Sequence, residues 1–200
     1  MGNSLKDRIT KLEKELQAIK EEMAVKVRKG LKVGDTFKLA GIEWRILDIT
    51  EKGYFCHAVD RYGNSLTFDQ SSSDWKTSDL RKDLHKNLLK EIAEEIGEDN
   101  IIPFERNLLS LDGQTEYVMC EDRISLLTVD EYRKHRSIIP NTDDYWWWLI
   151  TPWSTPCNDY KTAVAVVSPL GLINWLSCYD SRGVRPVCIF SSSIFESGDN

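Results

Sequence analysis

The sequence predicts an α+β protein in which an N-terminal coiled-coil helix precedes a folded body. Residues 5–23 place apolar side chains at heptad spacing, which is typical of a helix. Residues 33–59 and 163–190 carry strand-like patterns, and helical patterns occupy the chain between them. We therefore expect two units, a helix over residues 1–30 and a folded domain over residues 31–200.

The N-terminal helix is predicted to self-associate. Its apolar positions follow one another at spacings of 4, 3, 4, 3 and 4 residues, and they are Leu5, Ile9, Leu12, Leu16, Ile19 and Met23. So narrow an apolar seam is typical of a coiled coil, and a mixture of Ile and Leu does not force a dimer. We expect a homo-oligomer through residues 5–23, with a trimer preferred; the alternative is a helix that packs against its own body.

A change in charge supports a boundary near Gly30. Residues 1–30 carry a net charge of +3, with eight Lys or Arg against five Asp or Glu. The whole chain has a formal net charge of −6, so the remaining residues carry −9. Such a difference between two segments of one chain favours two separate units.

The body begins with three predicted strands joined by short turns. They are Val33–Leu39, Ile42–Ile49 and Tyr54–Val59. Within the second strand, Trp44 alternates with Ile42 and Ile46, and strand alternation puts all three side chains on one face. We expect that face to be buried.

Two helices are predicted in the middle of the body. Ser78 is an N-cap residue for a helix that ends at Gly97. Its apolar stripe contains Leu80, Leu84, Leu88, Ile92 and Ile96. Thr128 is predicted to cap a second, shorter helix that contains Val129 and Tyr132.

The C-terminal part is predicted to be rich in strands. The segments are Ala163–Val167, Leu172–Leu176 and Val184–Phe190, with a tight turn at residues 168–171. The first segment is apolar at every position, which favours a strand covered on both faces. The returning strand brings residues 174–179 back towards residues 158–160. We therefore expect one exposed surface to carry Asn158, Tyr160, Asn174, Trp175, Ser177 and Tyr179.

Composition excludes several classes of protein. A net charge of −6 argues against broad binding to a phosphate backbone, so we expect no nucleic-acid partner. No run approaches the roughly 18 apolar residues of a membrane span, and we expect none. Residues 1–16 lack the apolar stretch of a signal peptide, and the five cysteines include no CxxC pair. Free thiols in a reducing compartment are expected.

Catalytic and cofactor motifs are absent from the sequence. It contains no P-loop, GxGxxG, HExxH or GxSxG pattern. The three histidines, His57, His85 and His135, stand in unrelated contexts. We therefore expect no catalytic residue, no metal and no cofactor, and we interpret the basic run Arg133–Arg136 as a solvated helix end.

Tryptophan marks the C-terminal third. Five of the seven tryptophans lie between Trp146 and Trp175. Strand alternation would place Trp147 on one face and Trp146 and Trp148 on the other. Tyr, Trp, Asn and Ser downstream have the composition of adaptable binding surfaces. An ordinary loop with aromatic core anchors is the equal alternative.

Several blocks of this chain resemble a known domain family. They are Gly41–Leu47, Ser78–Arg81, Leu126–Tyr132, Trp147–Pro152, Ala163–Val167 and Arg182–Phe190. In these blocks the chain is similar to domains of gram-positive gut bacteria and their phages that have the C-type lectin fold, in the branch shared with formylglycine-generating enzymes. Members of this family look like the variable proteins of diversity-generating retroelements. The resemblance covers residues 31–197.

This resemblance implies a C-type-lectin-like body that binds a protein or a cell-surface ligand without catalysis. A reverse-transcription process would rewrite chosen codons between the Trp147–Pro152 and Arg182–Phe190 blocks. The ligand-binding residues that it implies are Ile150, Trp153, Asn158, Asp159, Tyr160, Lys161, Leu172, Asn174, Trp175, Leu176, Ser177, Cys178 and Tyr179. A phage virion or the cytoplasm of the host bacterium is the expected location.

Two departures from related families bear on this hypothesis. The Glu-Pro-Asn and Trp-Asn-Asp triplets of calcium-dependent lectins are absent, so no calcium site is expected. Formylglycine-generating enzymes use a paired-cysteine copper site, whereas Cys178 and Cys188 here lie ten residues apart and Cys188 falls within a predicted core strand. A cysteine-dependent enzyme is one alternative function. A structural virion or tail component of fixed sequence is another.

Overall fold

The computed structural model describes residues 31–196, together with Ile9, Lys11, Leu12 and Lys14. Those four residues are helical, and Ile9 and Leu12 are exposed. The rest of the predicted coiled coil and the predicted boundary at Gly30 lie outside the described residues. The described body mixes helices and strands, as the α+β prediction requires.

The body begins with an antiparallel meander, as predicted. Its strands are β1 (Thr36–Leu39), β2 (Ile42–Thr50) and β3 (Gly53–Ala58). Phe37 lies opposite Trp44, and Ile46 lies opposite Cys56. Gly53 permits the turn between β2 and β3, because a Cβ atom there would lie 2.1 Å from the carbonyl oxygen of Phe190.

The last strand of the chain lies in the middle of this sheet. Strand β13 (Val187–Phe190) pairs with β3 on one side and with β5 (Ile101–Ile102) and β8 (Ile124–Ser125) on the other. All four β13 residues are buried, which explains why the segment is continuously apolar. The prediction that Cys188 is a core residue of this strand is confirmed.

Two consecutive helices replace the single long helix that was predicted. Helix α1 (Asp79–Lys86) begins at Ser78, whose Oγ accepts a hydrogen bond of 3.1 Å from the backbone N–H of Arg81. Helix α2 (Leu88–Ile96) ends at Gly97, which has a φ of 82°. The helices separate at Asn87. The predicted apolar stripe nevertheless persists across the break, where Leu80, Leu84, Leu88 and Ile92 are buried.

Two further helices complete the helical part of the described body. Helix α3 (Val129–His135) begins with a capping box, in which Thr128 and Glu131 each accept a hydrogen bond from the other's backbone N–H. The predicted cap at Thr128 is therefore confirmed. Helix α4 (Ser193–Glu196) follows β13.

A second antiparallel sheet carries the tryptophan-rich segment. Its order is β9 (Trp147–Pro152), β10 (Ala163–Val167) and β11 (Ile173–Ser177). Every residue of β10 is buried, as predicted. Short two-stranded pairs join β4 (Leu66–Thr67) to β12 (Ser181–Arg182) and β6 (Phe104–Arg106) to β7 (Cys120–Asp122).

The buried side chains form two hydrophobic clusters. Trp147 belongs to one cluster, whereas Trp148 belongs to the other with Trp146 packed against it, which confirms the predicted alternation. Trp44 is also fully buried, and its Nε1 donates a hydrogen bond of 3.1 Å to the carbonyl of Leu39. The predicted core position of Trp44 is therefore confirmed.

Candidate functional site

A groove of about 560 Å³ opens beside the second sheet, within the segment that the sequence singled out. Its lining residues are Leu111, Asp112, Trp153, Ser154, Asn158 and Tyr160. We call this feature, together with the adjoining Trp175, the aromatic groove. The loop between β9 and β10 and the loop between β6 and β7 build it.

Backbone hydrogen bonds fix the loop that carries most of the groove. Trp153 N–H donates to the carbonyl of Ala163 over 2.9 Å, so the loop leaves β9 and returns to β10 at adjacent points. Residues 156–158 form one 3-10 turn, and Asp159 follows it in the left-handed region with a φ of 63°. The carbonyl of Lys161 then accepts a 2.7 Å bond from the N–H of Ser73. The loop is therefore held to the body at both ends.

A second loop, far away in sequence, supplies the polar floor. Asp112 accepts hydrogen bonds from Ser110 Oγ over 2.5 Å, from Ser154 Oγ over 2.6 Å and from Asn158 Nδ2 over 3.0 Å. The N–H of Leu111 also donates to the carbonyl of Pro152 over 2.9 Å. Asp112 thus joins the two loops of the groove.

These hydrogen bonds stabilise the charged form of Asp112. The hydroxyl donors of Ser110 and Ser154 contribute most, and with the amide of Asn158 they lower the pKa of the Asp112 carboxyl to about 2. The carboxylate is therefore ionised at neutral pH. It gives the groove one fixed negative charge.

Three aromatic side chains form the other wall. The rings of Trp153 and Trp175 lie 6.4 Å apart, and the ring of Tyr160 meets Trp175 edge-on at 6.2 Å. Tyr160 is 46% exposed and Trp175 is 39% exposed, while Trp153 is half-buried. One tilted contact and one edge-to-face contact hold the rings in place while leaving apolar area open to solvent.

Most of the predicted ligand-binding residues are accessible. Trp153, Leu176 and Ser177 are half-buried. The exposed ones are Asn158, Asp159, Tyr160, Lys161, Leu172, Asn174, Trp175 and Tyr179. The structure brings Trp153, Asn158 and Tyr160 into the groove, with Trp175 against two of them.

Two predicted site residues are instead buried. Ile150 and Cys178 each have no exposed surface, and both belong to the core cluster that contains Trp148. Ile150 is two residues from Trp148 on β9 and therefore shares its inward face. Neither side chain reaches a ligand at the surface, so including them in the site was wrong.

The strand β11 divides its exposed residues between two faces. Trp175 lies opposite Ala165 and Asn174 lies opposite Val166, and neighbouring strand residues project in opposite directions. Asn174 therefore lies on the face away from the Trp175 ring, and its Oδ1 accepts from the N–H of Trp175 over 2.8 Å. The expectation that Asn174 shares one surface with Trp175 is wrong in this respect.

Sequence reasoning missed the contribution of the loop around Asp112. The Ser110-Leu111-Asp112-Gly113 run is a turn signature, and Gly113 N–H does donate to the carbonyl of Ser110 over 3.0 Å. Such a signature marks a turn without identifying the surface against which it packs. Ser154 was also missed, since a single serine carries no signal of its own.

Two of the described cysteines, Cys178 and Cys188, are buried. Burial raises the pKa of the Cys178 thiol to about 11, and it raises the pKa of the Cys188 thiol well above its usual range. Among the described residues, no group of three or more His, Cys, Asp or Glu side chains is placed to hold a metal ion. In the same residues, no helix combines the length and apolarity that crossing a bilayer requires.

Comparison with known proteins gives one family. No curated protein and no solved structure gives a significant match to the chain. A family profile described as "Domain of unknown function (DUF6273)" matches residues 60–192, about two thirds of the chain, and this span contains the entire aromatic groove. The chain therefore belongs to the DUF6273 family.

Proposed function

We propose that this chain is a non-enzymatic ligand-binding protein and that the aromatic groove is its binding site. The observation that carries the proposal is the meeting of three aromatic rings, those of Trp153, Tyr160 and Trp175, with the Asp112–Asn158 pair at one open groove. The ligand is a protein or a cell-surface molecule.

The chemistry of the groove suits recognition. Trp and Tyr supply large contact areas and lose little conformational entropy on binding, since each has only two side-chain torsions. The amide of Asn158 donates its Nδ2 hydrogens to Asp112 and Ser154, which fixes the orientation of the side chain. Its carbonyl oxygen then faces the ligand as a pre-oriented acceptor. Pre-orientation of this kind lowers the cost of binding.

We further propose that a retroelement diversifies this surface, as the resemblance implies. Buried β10 holds the backbone of the sheet, while exposed positions on the loop and on β11 can change without disturbing the core. Leu172 and Lys161 are exposed positions of this kind. A C-type-lectin-like fold for residues 31–200 and a homo-oligomer through residues 5–23 belong to the same proposal.

The burial of Cys178 and Cys188 supports binding over thiol chemistry at these two residues. A nucleophilic cysteine requires a thiolate, and burial works against the thiolate forms of Cys178 and Cys188. The two residues are also buried in the core cluster rather than in the groove. The alternative function is a structural component of fixed sequence. The gene sequence distinguishes it from a diversified receptor, because only the receptor requires a second, varied copy of its coding segment.

A cell-binding assay tests the site. Fluorescently labelled chain is incubated with a panel of gram-positive gut bacteria, and binding is read by flow cytometry. The variant carrying Asn158→Ala, Tyr160→Ala and Trp175→Ala should lose binding. The matched control carries Leu109→Ala, Val118→Ala and Met119→Ala, which truncate exposed apolar side chains elsewhere, and it should retain binding.

Two results would contradict the proposed site. Cell binding that survives in the groove variant would place the ligand on another surface. Equal loss of binding in the groove variant and the control would indicate non-specific apolar adhesion.

The proposed homo-oligomer is tested separately by the double variant Leu12→Glu with Ile19→Glu. Light scattering should show that this variant releases folded monomers.

A further inference from the structure

A group of basic side chains gathers on one face of the large sheet. Arg45 on β2 lies directly opposite His57 on β3, and opposite residues of an antiparallel pair share a face. Arg185 joins them, because its guanidinium lies 4.8 Å from the centre of the Trp147 ring and the His57 ring lies 5.4 Å from the same centre. His57 and Arg185 are both 1% exposed.

Several side-chain nitrogen atoms of this group have no hydrogen-bond partner within the described residues. They are Arg45 Nε, His57 Nε2 and Arg185 Nη1, each fully shielded by the surrounding atoms. Other atoms of the two arginines are used: Arg45 Nη1 donates to the carbonyl of Gly34 over 2.8 Å, and Arg185 Nη2 donates to that of Val59 over 2.8 Å. A buried donor left unpaired destabilises the fold, so the unpaired N–H groups of Arg45 and Arg185 would be stabilised by a hydrogen-bond acceptor.

No carboxylate among the described residues forms an ion pair with the arginines beside this group, although the charge of Asp60 acts on Arg185. Within the described residues, Arg45, Arg136 and Arg185 form no ion pair. Burial, and then the nearby Arg185 and Arg45 charges, lower the pKa of His57 well below its usual range. Arg45 and Arg136 therefore carry positive charge without an ion-pair partner among the described residues, although the chain as a whole is acidic.

The nearest acidic side chains are already paired. Asp48 accepts from Lys134 Nζ over 2.6 Å, and Asp60 accepts from the Tyr145 hydroxyl over 2.7 Å. Glu131 receives two bonds of 2.7 Å from Arg106. None of these carboxylates is available to neutralise Arg45 or Arg136.

Arg45 borders an open groove of about 520 Å³, and residues 136–141, which follow α3, line the rest of it. We call it the basic groove; its lining is Arg45, Arg136, Ser137, Ile138, Ile139, Pro140 and Asn141. Arg136 Nη1 donates to the carbonyl of Ile139 over 2.9 Å, and its Nη2 donates to Asn141 Oδ1. These bonds fix the second guanidinium on the wall of the groove.

We propose that the basic groove binds a small oxyanion, a phosphate or carboxylate group, between Arg45 and Arg136. A planar guanidinium matches both groups through paired hydrogen bonds, and two of them on one groove supply opposing contacts. Under this proposal Arg136, the last residue of the basic run Arg133–Arg136, belongs to a binding site and is not merely part of a solvated helix end. This site shares no lining residue with the aromatic groove and is independent of the function proposed there.

Titration with inorganic phosphate, and separately with acetate, tests the basic groove. Both are added to the full chain at constant ionic strength against a chloride reference, and binding is read by calorimetry. Saturable binding is expected, and Arg45→Gln should weaken it about tenfold or more, since a lost charge-assisted pair commonly exceeds 1.4 kcal/mol. Arg133→Gln is the matched control, because it removes the same charge from an exposed residue and should leave the affinity unchanged.

The outcomes separate clearly. Tighter binding of phosphate than acetate identifies a phosphate group, and the reverse identifies a carboxylate; either supports the site if Arg45→Gln removes it. No saturable binding of either anion overturns the proposal. Equal weakening by Arg45→Gln and Arg133→Gln overturns it too, because that pattern reflects general charge. If Arg136→Gln disturbs folding, as measured by circular dichroism, Arg45→Gln and Arg45→Lys decide the question, and Arg45→Lys should retain part of the affinity.

Discussion

Two tryptophans flank strand β10 and occupy opposite environments. Trp148 on β9 lies opposite Val166; it is fully buried, and its Nε1 donates to the carbonyl of Leu66 over 2.9 Å. Trp175 on β11 lies opposite Ala165, is 39% exposed and contacts only aromatic neighbours of the groove among the ring pairs described. One sheet therefore combines two buried strands, β9 and β10, with the accessible strand β11. We call β9 and β10 the framework. A tryptophan occurs in the framework and in the accessible strand, so residue type alone does not predict burial.

The largest effect should come from truncating the framework tryptophan. Trp148→Ala is expected to lower the free energy of unfolding by about 3–5 kcal/mol, because it leaves a large cavity in the core. Urea denaturation measures the loss, and Trp148→Phe should lose less. If Trp148→Ala unfolds at the same urea concentration as the parent, β9 is not part of the framework.

A medium effect is expected at Asp159, inside the predicted variable segment. Its φ of 63° disfavours side chains branched at Cβ, while Asp, Asn and Gly tolerate this region. Asp159→Val should reduce the free energy of unfolding by about 1–2 kcal/mol, whereas Asp159→Gly should preserve it. Equal stability of the two variants would show that the loop backbone relaxes freely.

A small effect on stability is expected on the groove side. Trp175→Ala combined with Tyr160→Ala should change the free energy of unfolding by less than about 1 kcal/mol, as substitutions at exposed sites usually do. The same pair should abolish cell binding. If the double variant loses as much stability as Trp148→Ala, then Trp175 on β11 contributes to the core as Trp148 does, and the two tryptophans do not differ in role.

The smallest effect concerns pH and Asp112. The hydrogen bonds of the folded state lower the Asp112 pKa to about 2, below its value in the unfolded chain, so the stability it contributes is complete above about pH 4 and is lost as the pH falls through 2. The difference in melting temperature between the parent and Asp112→Asn should therefore shrink from pH 5 towards pH 2. A difference that stays constant over this range would show that the Asp112 charge does not join the two loops.

Local signals predicted much of the fold. Ser78 and Thr128 were identifiable as caps because a cap interacts with residues only three positions away. The hairpin of β10 and β11 followed from its turn, although β11 begins one residue later than predicted. The break at Asn87 was not visible, because both helices keep their apolar residues on one common face and the pattern continues across it.

The candidate site was predicted only in part, because half of it depends on long-range contacts. Trp153, Asn158 and Tyr160 lie close together in sequence, but Asp112 reaches Asn158 across 46 residues. Nothing in the sequence specifies that contact. Period-two alternation groups Ile150 with Trp148, but it does not reveal that both faces of β9 are buried.

The central claim is that a fixed framework carries a diversified surface, and the gene sequence tests it most directly. Sequencing the locus in related strains should show a near-copy of the segment coding for residues 146–190 beside a reverse-transcriptase gene. Differences between the two copies should fall at adenines in the codons of exposed positions such as 158–161, 172, 174 and 175, and they should spare the buried codons 163–167 of β10. Absence of a copy, or differences spread equally over β10 and β11, would contradict the account.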